Sequence, residues 1–368
     1  MASRAKVALL LLAATGGLAL AIAGGPNGSQ AAAATVSRNA TLEDLAKQLT
    51  DRFVDPAVGQ KYAAMLRANA ASGKYAAIGD DAAFAKAVTD DLQAVHFDGH
   101  LKLLVPSKAP ATPSPRGPIE ESQTIEAAAH LTPDIAYIRL GDFLGRQDAI
   151  AGIRKFLTDN ANAKTIIFDM RTHRGGGIDE MDAMFPMIFE KAQVLVGMDT
   201  RSNVESPLED GPTLWRVSGP DGVVRREHRV TPTAPLGNLQ KAKIYVLASG
   251  RTASAGEHFV LSMKRTHRAT IIGETTFGAG NFGGGVPVAG GFSAWIPVGR
   301  TFDPDTNKGW DYVGIAPHVA VPVADALTEA LVRSGVARDE AQKLSAQHGP
   351  PADRISSLRK APASVAGI

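Results

Sequence analysis

Leu42, Leu45, Leu49 and Phe53 recur on one helical stripe with polar residues between them, so the chain opens its patterned part with an amphipathic helix. Thr41 followed by Asp44 predicts the start of that helix, and Asp55-Pro56 predicts its end. A second helix is expected over residues 58–71, and a third carries Phe84, Val88, Leu92 and Val95 along one face. Residues 27–39, mostly small and polar, read as a linker. The first hundred residues therefore predict a small helical bundle, closing on the tetrad Asp98-Gly99-His100-Leu101.

Five prolines at 106, 110, 113, 115 and 118 form a joint after the bundle. Beyond it, short β-like runs alternate with helical ones. Strands are predicted over 135–140, 165–170, 243–248 and 269–273, and helices over about 179–191 and 254–264. Strand–loop–helix alternation argues for an α/β layer with a partly parallel sheet. Residues 284–321 are rich in glycine, proline and aromatics and read as hairpins. The expected organisation is a signal peptide and linker over 1–34, the bundle over 35–105, a proline-rich joint over 106–119, an α/β catalytic domain over 120–322, and a C-terminal helix with a flexible tail over 323–368.

Composition narrows the chemistry. Of 368 residues 44% are hydrophobic, enough for one large domain or two smaller ones, and the formal charge of +2 with no basic run gives no reason to expect nucleic acid. There is no cysteine, which excludes disulfides, cysteine–zinc sites, a thiol nucleophile and a lipidated N-terminal cysteine. No HExxH and no glycine-rich phosphate loop with a following lysine occurs, so neither a metal nor a cofactor is expected. Arg4 and Lys6 ahead of the apolar run 7–23 read as an export signal, with small residues at 21–23 and 31–33 for cleavage. The chain is thus expected in the periplasm or outside the cell, with membrane attachment only if that segment stays uncleaved.

The stretch 245–257 runs from a buried strand through small residues to Ser254 at a helix start. A helix N-terminus offers unpaired N–H groups and partial positive charge, which favour the oxyanion formed when a hydroxyl attacks a carbonyl. Ser254 with Glu257 also fits an ordinary capping box. The loop Gly175-Gly176-Gly177 after another buried strand reads either as a tight turn or as a source of a second oxyanion donor. His100 could serve as base and Asp311 as its orienting carboxylate, though each alone reads as a surface or turn residue.

Asp169-Met-Arg171 with Gly175-Gly176, Thr252-Ala-Ser254-Ala-Gly-Glu257, Gly273-Glu274-Thr275-Thr276 and Gly314-Ile-Ala-Pro317 resemble, in this order, the tail-specific (C-terminal processing) serine peptidases. The match is nearer to the branch holding the tricorn core and the repeats of interphotoreceptor retinoid-binding protein, whose bundle ends in a similar Asp-Gly-His-Leu. The resemblance covers about residues 40–325. It implies an α/β (α+β) fold: a ClpP/crotonase-like core with a mixed sheet and the helical bundle packed on it. It also implies Ser254 as nucleophile, His100 as general base, Asp311 as orienting carboxylate, and the N–H groups of Ala255 and of Gly175 or Gly176 as oxyanion hole. Asp169, Arg171 and Glu257 would be structural. Two departures matter. Where bacterial members carry a dyad lysine this chain has Ala279, and Lys264, ten residues along the helix, lies about 15 Å off. Asp311 stands where the tricorn-like branch has glutamate, and no stretch resembles a PDZ module. The implied partner is a peptide or protein substrate. The alternative is a retired enzyme serving as an exported binding protein for an apolar ligand or peptide.

Overall fold

The computed structural model describes residues 26–105 and 124–355. The apolar run read as an export signal, the proline-rich joint and the tail beyond 355 lie outside the described residues.

Three helices open the described chain: α1 (Pro26–Arg52), α2 (Pro56–Ala71) and α3 (Asp81–Val95). The expected linker at 27–39 is part of α1, and the reason is local: four consecutive alanines at 31–34 outweigh the polar residues around them. Thr41 and Asp44 therefore lie inside the helix rather than at its start. They dock it instead, the Thr41 hydroxyl donating to the Ala289 carbonyl and the Asp44 carboxylate accepting from the Ala289 N–H, both at 2.8 Å. Asp55 caps α2 by accepting from the N–H groups of Ala57 and Val58, with Pro56 at the first helical position. Asp80 caps α3 in the same way through the N–H of Ala83.

The apolar stripe of the bundle is closed by a sheet. Leu42, Leu45, Leu49, Phe53, Phe84 and Leu92 share one buried cluster with Leu101, Phe292, Ala294 and Ile296. That sheet is antiparallel, in the order β1 (Lys102–Leu104), β11 (Ser293–Asp303), β5 (Gln193–Arg201), β7 (Val223–Val230), β6 (Leu214–Val217), with β10 (Asn281–Pro287) and β12 (Lys308–Gly309) also on β11.

The second sheet has the order β13 (Val319–Ala320), β9 (Thr270–Gly273), β8 (Lys243–Ala248), β4 (Thr165–Asp169), β3 (Ile135–Leu140), β2 (Ile125–Thr132). All its pairings are parallel except β2 with β3. Both faces are covered, which is why β4 reads as an unbroken apolar run before Asp169. Ile166, Phe168 and Val246 face α4 (Gln147–Asp159), α5 (Asp179–Ile188) and α6 (Ala255–Arg265). Ile167, Tyr245 and Leu247 face α7 (Ala326–Arg333) and α8 (Arg338–His348). The fold is thus the expected mixed α/β core with an N-terminal helical bundle. Among the described residues no helix is long and apolar enough to cross a membrane.

Candidate active site

The parallel strands β4 and β8 end side by side, and the loops that follow them are stitched together. Thr252 donates its hydroxyl to the Met170 carbonyl (2.8 Å), and Ser249 donates to the Arg171 carbonyl (2.6 Å). Asp169 and Arg171 form a fully buried ion pair at 2.7 Å that underpins the first loop. Residue 254 then turns the chain sharply into α6, with φ 54° and ψ −118°, a left-handed conformation unusual for a side chain larger than glycine. Such a backbone costs on the order of 1–3 kcal/mol and persists where surrounding structure holds it, often at functional sites.

Glu257 does the holding. Its buried carboxylate accepts from the Ser254 N–H (2.9 Å), the Thr276 hydroxyl (2.6 Å), the Gly278 N–H (2.7 Å) and the Ala279 N–H (2.8 Å). The expected capping partner is therefore also a clamp between α6 and the 276–279 loop. Burial raises its pKa, against the pull of these donors.

The glycine loop lies against the serine. A Cβ placed on Gly175 (φ 110°) would stand 2.8 Å from the Ser254 Cβ and 3.3 Å from its Oγ, so only glycine fits. The Gly175 N–H donates to Nδ1 of His173 (3.1 Å), a buried residue whose ring sits edge-on to Phe143. Gly176 pairs with Phe143 across a parallel bridge. His173 also accepts the Ala253 N–H on its carbonyl, tying the glycine loop to the serine turn. Sequence reading passed over His173, because nothing local distinguishes it from a loop histidine.

The bundle delivers the Asp98–Leu101 tetrad to the same region. Asp98 is buried; Oδ1 accepts from the N–H groups of His100 and Leu101, and Oδ2 accepts from Nδ2 of Asn281 (2.9 Å). The next carboxylate, Asp311, accepts from the N–H groups of Gly280 (2.9 Å) and Asn281 (3.3 Å). Asn281 thus links the two acids, a role with no mark in the sequence. Gly99 packs where a dyad lysine would start: a Cβ on it would stand 3.0 Å from the Ala279 Cβ. Ala279 and Ser254 donate to the same Glu257 oxygen, so the tetrad and the serine turn are neighbours through one residue.

The His100 ring stacks beside Trp295 (centroids 6.3 Å, 27°), and its Nδ1 is buried with no hydrogen-bond partner among the described residues. No hydrogen bond joins that ring to Ser254 or to Asp311 among the described residues. Desolvation lowers the His100 pKa, opposed by the Asp98 charge and reinforced by Lys102. Desolvation, then the Asp98 charge, push the Asp311 pKa well above the usual carboxylate range. Both groups are therefore biased toward their neutral forms. Lys264 is occupied elsewhere, donating to the Ala316 carbonyl at 2.5 Å.

Behind α6 runs a second polar chain. His258, one turn after Ser254, shares a hydrogen bond with His228 (2.8 Å), whose other nitrogen meets Asp182 (2.8 Å). Burial, and then the His228 charge, hold the His258 pKa well below its ordinary value. An unfolded histidine gains its proton near pH 6.5, whereas the folded one resists it, so stability is full above that pH and falls as acid is added. We expect the stability difference between wild type and His258→Gln, from urea melts, to shrink below pH 6.5 by up to about 1.4 kcal/mol per pH unit. A difference constant from pH 7.5 to 5 would refute it.

The sequence model of Peptidase family S41 matches residues 134–321, just over half of the chain. The chain belongs to peptidase family S41. A second model, the N-terminal domain of Peptidase_S41 in eukaryotic IRBP, matches residues 33–138. Ser254, the glycine loop and Asp311 lie in the S41 peptidase region, and His100 in the N-terminal one. Carboxyl-terminal-processing peptidase 1, chloroplastic, from Arabidopsis thaliana is 25% identical over 221 residues, covering 58% of this S41 chain but only 39% of that protein's length. A structure from Parabacteroides merdae, described as that of a peptidase, is 17% identical with a TM-score of 0.57, covering 82% of this chain and 98% of that one. The photosystem II D1 C-terminal processing protease is 16% identical with a TM-score of 0.48, covering 78% and 94%. The Parabacteroides likeness shows a shared fold over most of both chains. The family is one of peptidases.

Proposed function

We propose that the chain is an exported peptidase that cleaves peptide bonds by acyl transfer to Ser254. The observation that carries this reading is the strained turn at Ser254, held by Glu257 at the head of a buried helix with the glycine loop against it. His100, kept neutral by its burial, takes the Ser254 proton as the hydroxyl attacks the carbonyl. The N–H groups of Ala255 and Gly176 hold the oxyanion, with Gly175 clearing space beside the serine, since its own N–H is turned to His173. Asp311 then orients the imidazolium that forms, and His100 returns the proton to the leaving amine before water releases the acyl group. Catalytic hydrogen bonds are often long or misaligned before substrate arrives, so the open His100 ring is compatible with this assignment. The lysine-to-alanine change at 279 supports a histidine base, because Gly99 of the His100 tetrad packs on that alanine.

Export rests on Arg4 and Lys6 followed by the apolar run 7–23. The carboxyl-terminal-processing relative makes peptides with free C-termini the first substrates to try. The rival reading, an exported carrier of an apolar ligand, draws on the unpartnered His100 Nδ1 and on Ala279. A fluorophosphonate probe separates the two. We expect covalent labelling that maps to the tryptic peptide bearing Ser254; no labelling of the folded protein would favour the carrier.

A further inference from the structure

Three aromatic rings meet beside the site from three distant segments. Phe97 lies 5.5 Å from Tyr312 and 6.4 Å from Phe277, centroid to centroid. Phe97 precedes Asp98, Phe277 precedes the Gly278-Ala279 pair held by Glu257, and Tyr312 follows Asp311. Phe277 also touches the tetrad, its Cε1 standing 3.1 Å from a Cβ placed on Gly99. Its N–H donates to the carbonyl of Thr252, two residues before Ser254.

None of these rings belongs to a buried apolar cluster; all three are half-buried. Val313 at their edge is 55% exposed, more than any other large hydrophobic side chain among the described residues. Tyr312 adopts φ 66°, a left-handed backbone that a bulky residue takes only when held, here by its N–H on the Gly278 carbonyl (2.8 Å). Strain that keeps a tyrosine half-exposed serves no core. The neighbouring acids do not compete for the surface. Asp98 accepts three donors and Glu257 four, and Asp311 accepts two backbone N–H groups. The surface here is the three half-buried rings with the Tyr312 hydroxyl, beside the exposed Val313, and it is continuous with the serine turn through Phe277.

We propose that Phe97, Phe277 and Tyr312, edged by Val313, form a subsite that takes one apolar, preferably aromatic, side chain of the substrate peptide beside the bond to be cleaved. This rests on the peptidase reading and adds to it a substrate class. Offset and edge-on contact with three rings favours a phenylalanine or leucine side chain, while an acidic one would meet the field of Asp98 with no cation to pair it and only the Tyr312 hydroxyl as donor.

The test reads binding apart from chemistry. Ser254→Ala is titrated by fluorescence polarisation with labelled peptides differing at one position, Phe, Leu, Gly or Asp. We expect the Phe and Leu peptides to bind roughly tenfold or more tighter than the Gly peptide, and the Asp peptide weakest. Adding Phe97→Ala or Tyr312→Gly should collapse the Phe-to-Gly ratio to within about twofold. Tyr312→Gly suits the left-handed backbone, so it removes the ring while relieving strain, and circular dichroism verifies folding. Equal affinity for all four peptides, or a ratio that survives in both double variants, overturns the subsite. A ratio that behaves as expected while the Ser254-containing protein hydrolyses none of the peptides sinks the peptidase reading and leaves the subsite standing.

Discussion

Replacing Ser254 by alanine will lower peptide hydrolysis by about 10⁴- to 10⁶-fold, and replacing His100 by alanine will lower it by a similar factor. The two losses will not add. A nucleophile and its base act as one unit, so the double variant should be no slower than the worse single one, within about threefold. That non-additivity is the sharper measurement, because a merely structural role for His100 would compound the loss. The variants should keep their folds. Ser254 is half-buried, and the Glu257 clamp takes the residue 254 backbone N–H, which alanine retains. The His100 turn is shaped by Asp98 through backbone N–H groups, which alanine at 100 also retains. If His100→Ala costs less than about tenfold, the base lies elsewhere. His96, exposed at the end of α3, is the next histidine to test.

Much of the core was legible because its signals are local. The apolar run of β4 and the strand–turn–helix around Ser254 each fit inside a dozen residues, and both formed where the pattern put them. Of the antiparallel sheet only the hairpins of β10, β11 and β12 were legible, in the glycine- and proline-rich stretch 284–321; the β5–β7–β6 side was not. β7 reads Val-Val-Arg-Arg-Glu-His-Arg-Val, a charged stretch by composition. It is a strand because partners elsewhere absorb the charges: Asp199 on β5 takes Arg225 at 2.7 Å, and Asp210 takes Arg226 at 2.7 Å. The start of α1 was misplaced for the opposite reason, since Thr41 and Asp44 carry a genuine capping composition but spend it on Ala289. At the site the same division holds. Glu257 was visible as a local cap, whereas three of its four donors come from residues 276–279. The pairing of Asp98 with Asn281 and the meeting of Phe97, Phe277 and Tyr312 depend on sheet closure, which no window of sequence contains.

Arg171→Met will destabilise the protein by about 3–5 kcal/mol, the usual cost of stranding one partner of a buried ion pair. The guanidinium gives Asp169 two hydrogen bonds, Nε to Oδ1 at 2.9 Å and Nη2 to Oδ2 at 2.7 Å, and donates a third to the Val323 carbonyl. Without it the fully buried Asp169 keeps only the Tyr137 hydroxyl (2.7 Å) and the N–H of residue 171 (3.1 Å). Desolvation pushes the Asp169 pKa up, but the Arg171 charge and these hydrogen bonds win, leaving it below the ordinary value. In wild type the pair therefore stabilises the fold above about pH 4 and is lost only in stronger acid. In Arg171→Met the desolvation is unopposed by charge, so Asp169 titrates higher and the variant should recover part of its lost stability as pH falls from 7 to 5. For a fold of this size the loss at neutral pH amounts to roughly 5–8 °C in Tm, readable by thermal melts. Removing the stranded acid as well, in Arg171→Met with Asp169→Leu, should restore more than half of it, since the penalty is an unpaired charge rather than a missing attraction. A double variant no more stable than Arg171→Met would place the cost in the lost Val323 contact and the reshaped loop, and the ion pair would then be a consequence of the fold at this point rather than a support for it.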